Sequence, residues 1–286
     1  MGETLPEFLR LDEALRAFAR AVGTQSQEHI RPLHKHFAIR LVVEGGFLPN
    51  EVVPHPPLRS VKRAGQHVLE ADVSLETSAE QSVIGGLKSK KIDVVVSKAN
   101  VGPVIAISLK GTGNAFRNLT NRMEEAVGDC TNIHLRYPSL VYGFFHVLKA
   151  VRQTVGIEPT DVSLELDGTA KPIVLRYASA LEQLTGRKLW RDEPSAYECT
   201  TLVMVESDQA TLGTVIETQF GIGLLSPQKF MQRLLETYDT RYPYMADASM
   251  AMNRVEWSRE SPFFSEVSAK SGLALDDALG YMARLG

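Results

Sequence analysis

The stretch KKIDVVVSKANVGPVIAISLKGTGNAFRNLTNRMEE, Lys90 to Glu125, decides how the chain is read. Asp93 opens the apolar run Val94-Val95-Val96, and Lys110 closes the run Val104-Ile105-Ala106-Ile107, with Ser108 two residues before it. Two short runs rich in β-branched residues, separated by a polar turn, predict a pair of strands close enough to form a hairpin. A second polar, glycine-containing turn follows Lys110. From about Asn114 onward, Phe116, Leu119, Met123, Ala126 and Val127 recur at three- and four-residue spacing, which predicts an amphipathic helix. An acid and a lysine at the ends of adjacent buried strands cost free energy unless they have partners, so their placement asks for a chemical explanation.

Toward the N-terminus, Leu9, Leu11, Leu15, Phe18, Ala19 and Val22 predict a helix over residues 5–22 that Gly23 ends. A second helix is expected from about Ser26 to Glu44, with Ile30, Leu33, Phe37, Leu41 and Val42 inward and Gly45-Gly46 as its stop. His34, Lys35, Arg40 and Glu44 then fall on other parts of its surface. His34 and His36 make a poor metal pattern, because residues two apart point different ways on a helix. The proline-bearing segment that follows, with Pro49, Pro54, Pro56 and Pro57, reads as an extended basic connection. Residues 67–76 alternate as a strand with Glu70, Asp72 and Glu76 facing solvent, and residues 78–87 read as helical or irregular.

Beyond the central stretch, residues 140–148 (LVYGFFHVL) have too few polar positions for an exposed face and predict an interior strand. A short strand is expected at 161–166, a helix at 178–184, a buried strand at 200–205, a helix at 227–238 capped by Ser226, and a final helix at about 274–285. Strands interspersed with helices predict an α/β fold, a mixed central sheet flanked by helices. The whole chain reads as a single domain, 1–286: a helical N-terminal part to about residue 46, a core over about 26–150, and an α/β C-terminal part over about 151–286.

With 44% hydrophobic and 23% charged residues, the composition is that of a globular chain with a sizeable core. Cys130 and Cys199 are too few for a disulfide framework or a zinc cluster. The N-terminal sequence has acids where a secretory signal needs a basic region, which predicts a cytoplasmic protein without membrane partners. A formal net charge of −3 does not favour nucleic acid, yet basic residues cluster locally. Arg31, Lys35, Arg40, Arg59, Lys62 and Arg63 fall between His29 and His67, and Lys88, Lys90, Lys91 and Lys98 surround the central hairpin. Such clusters are more often solvated faces than binding sites. Gly111-Thr112-Gly113 lacks the Gly-Lys-Ser/Thr ending of a phosphate-binding loop, which leaves an NTPase little support.

Magnesium takes hard oxygen ligands and keeps several waters, so one or two carboxylates suffice to hold it. Asp93 supplies one. On the following helix, Glu124 lies about 100° from Met123 and Glu125 about 200° from it, which favours Glu124 at the edge of the buried face. Glu44 is a weaker candidate, reading first as a surface acid near a helix end.

Asp93, the hairpin and Ser108-Leu109-Lys110 resemble the active-site hairpin of the PD-(D/E)xK nuclease superfamily, with Ile92 where the motif name has Pro and Ser108 where the second acid usually stands. In a subgroup of type II restriction endonucleases, that serine-x-lysine is followed by a migrated glutamate on the next helix; here thirteen residues separate Lys110 from Glu124. The resemblance implies a restriction-endonuclease-like fold and a Mg²⁺-dependent endonuclease that cuts double-stranded DNA as a homodimer or higher oligomer. It further implies that Asp93 and Glu124 hold the metal, with Glu44 as an accessory acid, and that Lys110 orients the attacking water with Ser108 as an accessory donor. Arg117, Arg122, Lys91, Lys62 and Arg63 are the expected contacts to nucleic acid, and the C-terminal part the expected reader of sequence. The alternative is a protein of the same fold that binds nucleic acid or a partner without cutting.

Overall fold

In chain order the elements are α1 (Leu11–Arg20), α2 (Arg31–Val43), β1 (Val52–Val53), β2 (Leu58–Arg63), β3 (Gln66–Ala71), β4 (Gln81–Ile84), β5 (Ser89–Ile92), β6 (Val94–Lys98), β7 (Gly102–Thr112), α3 (Leu119–Arg136), β8 (Val141–Ala150), α4 (Pro172–Gln183), β9 (Cys199–Glu206), α5 (Phe230–Arg241), α6 (Pro262–Ser271) and α7 (Leu275–Leu279). They come from a computed structural model that describes residues 5–21, 27–218, 220–221, 223–243 and 252–286. The expected helix stop at Gly23 and helix start at Ser26 lie outside the described residues.

The main sheet is mixed, in the order β1-β6-β7-β8-β9. β6 and β7 form the expected antiparallel hairpin, with Val94 opposite Ile107. β1 adds antiparallel to β6, whereas β7, β8 and β9 run parallel. A parallel neighbour needs a long crossover, and α3 supplies it between β7 and β8. β8 is buried at every position but Lys149, as an interior strand covered on both faces must be.

Two apolar cores lie on the two faces of this sheet. Val94, Val96 and Ile107 pack with residues of α1, α2, α5 and α6; Val95 and Ala106 pack with residues of α3 and α4. Side chains alternate along a strand, so Ser108 and Lys110 share the α3 side with Ala106. Helices thus flank the sheet on both sides. The C-terminal segment fixes the end of α2, where helix carbonyls lack intrahelical partners. Arg284 N donates to Val43 O (2.9 Å) and Trp257 Nε1 donates to Val42 O (2.8 Å).

Several expectations need correction. The proline-bearing connection contains β1 and β2, and β2 pairs with β3 as a separate two-stranded ribbon. Residues 78–87 contain β4, paired with β5 in another ribbon. Residues 161–166 form no strand: a 3₁₀ turn covers Pro159–Asp161, and Leu164 makes an isolated bridge to Ala170. The final helix is only α7, and the sequence reading missed α6. Glu70 is buried rather than solvent-facing, because Arg59 Nη2 lies 2.7 Å from its carboxylate and Arg63 pairs with it as well. No described helix is long and apolar enough to cross a membrane.

Candidate metal centre

Asp93 sits between β5 and β6, one residue before the Val94–Ile107 pair and therefore beside Ser108. Its Oδ2 accepts from Leu109 N (2.6 Å) and, more loosely, from Ser108 Oγ (3.4 Å). These bonds fix the carboxylate and leave Oδ1 toward His34, whose Nε2 is 3.5 Å away. Glu80, in the segment leading into β4, brings a second carboxyl against Asp93, and Gln27 Nε2 donates to Glu80 Oε1 at 2.7 Å. One ligand atom from each of His34, Glu80 and Asp93 lies within 4.8 Å of the other two, the one such group of potential metal ligands among the described residues.

The electrostatics of the group are those of two neighbouring carboxyls that favour sharing a proton over ionising together. Burial pushes the Asp93 carboxyl up, against the opposing pull of the Leu109 N–H and the Lys110 ammonium. Burial also pushes Glu80 up, and the charge of Asp93 beside it adds to the shift. Two carboxyls this close resist ionising together unless a cation joins them. His34 is pushed down to about 4, chiefly by burial, so its ring is neutral near pH 7 and its lone pair is available. Its Nε2 is buried and has no hydrogen-bond partner among the described residues. An orphaned imidazole nitrogen facing two carboxyls fits a divalent cation.

Lys110 ends the buried part of β7 with its ammonium 3.3 Å from Glu125 Oε1. Gly111 follows under a close cover, since a Cβ there would fall 2.4 Å from the Phe18 ring and 3.0 Å from the His29 ring. Beside Lys110 opens a cleft of about 330 Å³ lined by Gly111, Thr112, Asn114, Asn118 and Arg122 among others. Glu125 also accepts from Arg122 Nη1 (2.8 Å). Burial raises its carboxyl, but Lys110 and Arg122 together outweigh that and hold it low.

The remaining expected site residues are dispersed. Glu124 is exposed on α3, and the structure does not bring it into the group around Asp93. The helix face explains this. Its fully buried line runs through Leu119, Ala126, Cys130 and Ile133, while Met123 is only half-buried. At about 100° per residue, that turns Glu124 away from the sheet and Glu125 nearer to it. Glu44 pairs with Arg40 and lies about 15 Å along α2 from His34, at 1.5 Å per residue. Lys62 and Arg63 are exposed on β2, Lys91 on β5, and Arg117 and Arg122 at the start of the α3 region. Arg63 is tied to Glu70 and Arg117 donates to Thr160 Oγ1 (2.8 Å).

Sequence reasoning missed His34 and Glu80. His34 reads as a surface residue of a helix, yet it is 3% exposed. Its companion His36 is also buried and turned elsewhere, with Nδ1 3.1 Å from Phe8 O. The one usable signal is helical spacing, which puts His34 next to the inward-facing Leu33 and one turn from Ile30 and Phe37. Glu80 carries no local signal in the polar run ETSAEQS. Comparison with protein-family models, with curated proteins and with solved structures found no match.

Proposed function

We propose that this chain is a divalent-metal-dependent endonuclease that hydrolyses phosphodiester bonds in double-stranded DNA, with the mixed sheet serving as a restriction-endonuclease-like core. The observation that carries this reading is the convergence of Asp93 and Glu80 at the open end of the β6–β7 hairpin, within reach of the Lys110 charge. Asp93 and Glu80 would hold the cation, Mg²⁺ in the sequence reading, and Glu80 takes the part expected of Glu124. When bound, the cation would polarise the scissile phosphate and lower the pKa of a bound water.

The chain's own residues do the rest. Leu109 N–H and Ser108 Oγ orient Asp93, which makes Ser108 a positioning residue rather than a donor to substrate. Lys110, held by Glu125 at the edge of the cleft, places a positive charge to orient the attacking water and to stabilise charge building on the phosphate. Arg117, Arg122 and Lys91 lie on exposed surface of the adjoining elements and would meet phosphates along the strand; Lys62 and Arg63 would do so from the β2–β3 ribbon. A chain with one such centre cuts two strands as a homodimer or higher oligomer, and a type II restriction endonuclease of the cytoplasm is the enzyme that combines these features.

The test is incubation with genomic and other duplex DNA in Mg²⁺ or Mn²⁺, next to Lys110→Ala and Glu124→Ala. Cleavage is expected to fall by about 10²- to 10³-fold in Lys110→Ala and to persist in Glu124→Ala. Equal cutting by wild type and Lys110→Ala would overturn the reading. Salt-sensitive DNA binding without any cleavage would replace it with the non-catalytic one.

A further inference from the structure

A site for Mg²⁺ alone has no need of a histidine, and yet this one has His34. Magnesium favours oxygen donors and binds imidazole poorly, whereas Mn²⁺ and the later divalent transition metals accept nitrogen and oxygen together. His34 is carried by α2, the helix whose end the C-terminal segment secures through Trp257 and Arg284. Its Nε2 is buried, lacks a hydrogen-bond partner among the described residues, and is 3.5 Å from Asp93 Oδ1. A buried imidazole nitrogen left without a bond costs free energy, and the arrangement has a use if the nitrogen is a ligand.

We infer that His34 Nε2, Glu80 and Asp93 form a three-donor site for a borderline divalent transition metal, Mn²⁺ or a later neighbour, which the site binds in preference to Mg²⁺. One nitrogen from buried His34 and two carboxylates from partly exposed Glu80 and Asp93 leave other positions of an octahedral ion open to water and substrate, the pattern of a working rather than a structural site. Two carboxylates neutralise a doubly charged ion, and neutral His34 adds no charge. Gln27, through its bond to Glu80 Oε1, orients the acid that comes from the polar segment before β4. The inference deepens the nuclease reading by naming the cation class and the ligand set, and metal binding is measured without nucleic acid so that the two can fail separately.

The experiment is titration of the full chain with Mn²⁺ and with Mg²⁺ by calorimetry, together with pulsed EPR of the bound Mn²⁺, for wild type, His34→Gln and Glu80→Gln. Circular dichroism checks the fold of each variant. Expected are one Mn²⁺ per chain, Mn²⁺ bound at least about tenfold more tightly than Mg²⁺, and modulation of the spin echo by a directly bound ¹⁴N. In His34→Gln the ¹⁴N modulation disappears and the preference for Mn²⁺ over Mg²⁺ collapses; in Glu80→Gln the affinity for both ions falls by about 10- to 100-fold. Absence of Mn²⁺ binding, bound Mn²⁺ without ¹⁴N modulation in wild type, or modulation that survives in His34→Gln would each overturn the inference. Mn²⁺ bound through His34 with no cleavage of any DNA would uphold it and sink the nuclease reading. Cleavage with equal Mn²⁺ and Mg²⁺ dependence in wild type and His34→Gln would do the reverse.

Discussion

Among the described residues, Asp93 and Glu198 each place a largely buried carboxylate beside a histidine, and the two are built differently. At Glu198, just before β9, the side chain is fully buried and each carboxylate oxygen accepts a hydrogen bond from a guanidinium or a backbone N–H. His134 Nε2, like His34 Nε2, makes no hydrogen bond itself among the described residues. Arg187 and Arg241 donate to Oε1 at 2.7 and 2.6 Å, Tyr142 N donates to Oε2 at 2.7 Å, and His134 Nε2 lies 3.5 Å from Oε2. Burial pushes this carboxyl up, but the contact with His134, the Arg241 charge and the Tyr142 N–H outweigh it, so the acid is held below its usual range. At Asp93 burial wins over the Leu109 N–H, the loose Ser108 contact and the Lys110 charge, because no guanidinium or ammonium bonds the carboxylate directly and Lys110 pairs with Glu125. Burial alone therefore does not mark a functional acid. The mark is a buried acid that stays raised after its donors are counted.

This contrast makes predictions of decreasing size. Glu198→Gln leaves two buried guanidinium groups without their counterion, and breaking such a network typically costs about 3–5 kcal/mol. Urea unfolding should show that loss, with no change in metal binding; a loss below about 1 kcal/mol would mean that the Glu198 cluster is not the self-sufficient one. His146 provides a third case, a buried histidine satisfied by neutral hydroxyls. Its Nδ1 is 2.7 Å from Tyr177 Oη and its Nε2 is 2.9 Å from Thr112 Oγ1, and burial pushes it down to about 3. Its folded value lies below the unfolded one, so its contribution is complete above about pH 6.5 and lost as pH falls toward 3. Over that window His146 should cost up to about 1.4 kcal/mol per pH unit, and His146→Gln should flatten the acid limb of a stability–pH curve. An unchanged acid limb would show that burial does not dominate at this ring.

The sequence made the central hairpin legible because its runs are long, β-branched and apolar on both faces, and it made β8 and β9 legible for the same reason. It did not reveal β1, β2, β4 or β5. β1 is two residues long and β2 and β4 are partly exposed, so their patterns match those of loops. Of the candidate site, Asp93 and Lys110 stood out because a charged residue at the edge of an apolar run breaks a local rule. Ser108 enters only through the resemblance of Ser108-Leu109-Lys110 to a nuclease hairpin. Measuring angles from Met123 favours Glu124 over Glu125, and a helix face centred on Leu119, Ala126 and Cys130 is rotated from that. His34 and Glu80 reach Asp93 from distant elements, and only tertiary packing reveals that kind of proximity.

The central claim, that Asp93 and Glu80 are held together for a cation, is tested most directly by one thermodynamic comparison: unfolding of wild type and Asp93→Asn at neutral pH, each with and without Mn²⁺. Without the cation, Asp93→Asn should be at least as stable as wild type, because it relieves a raised, buried acid while its amide oxygen still accepts from Leu109 N. With the cation at a hundred times its dissociation constant, wild type should gain about 2.7 kcal/mol and overtake the variant, which gains little. A variant that is several kcal/mol less stable without the cation, and a wild type indifferent to Mn²⁺, would mean that the Asp93 cluster is a structural one like that around Glu198.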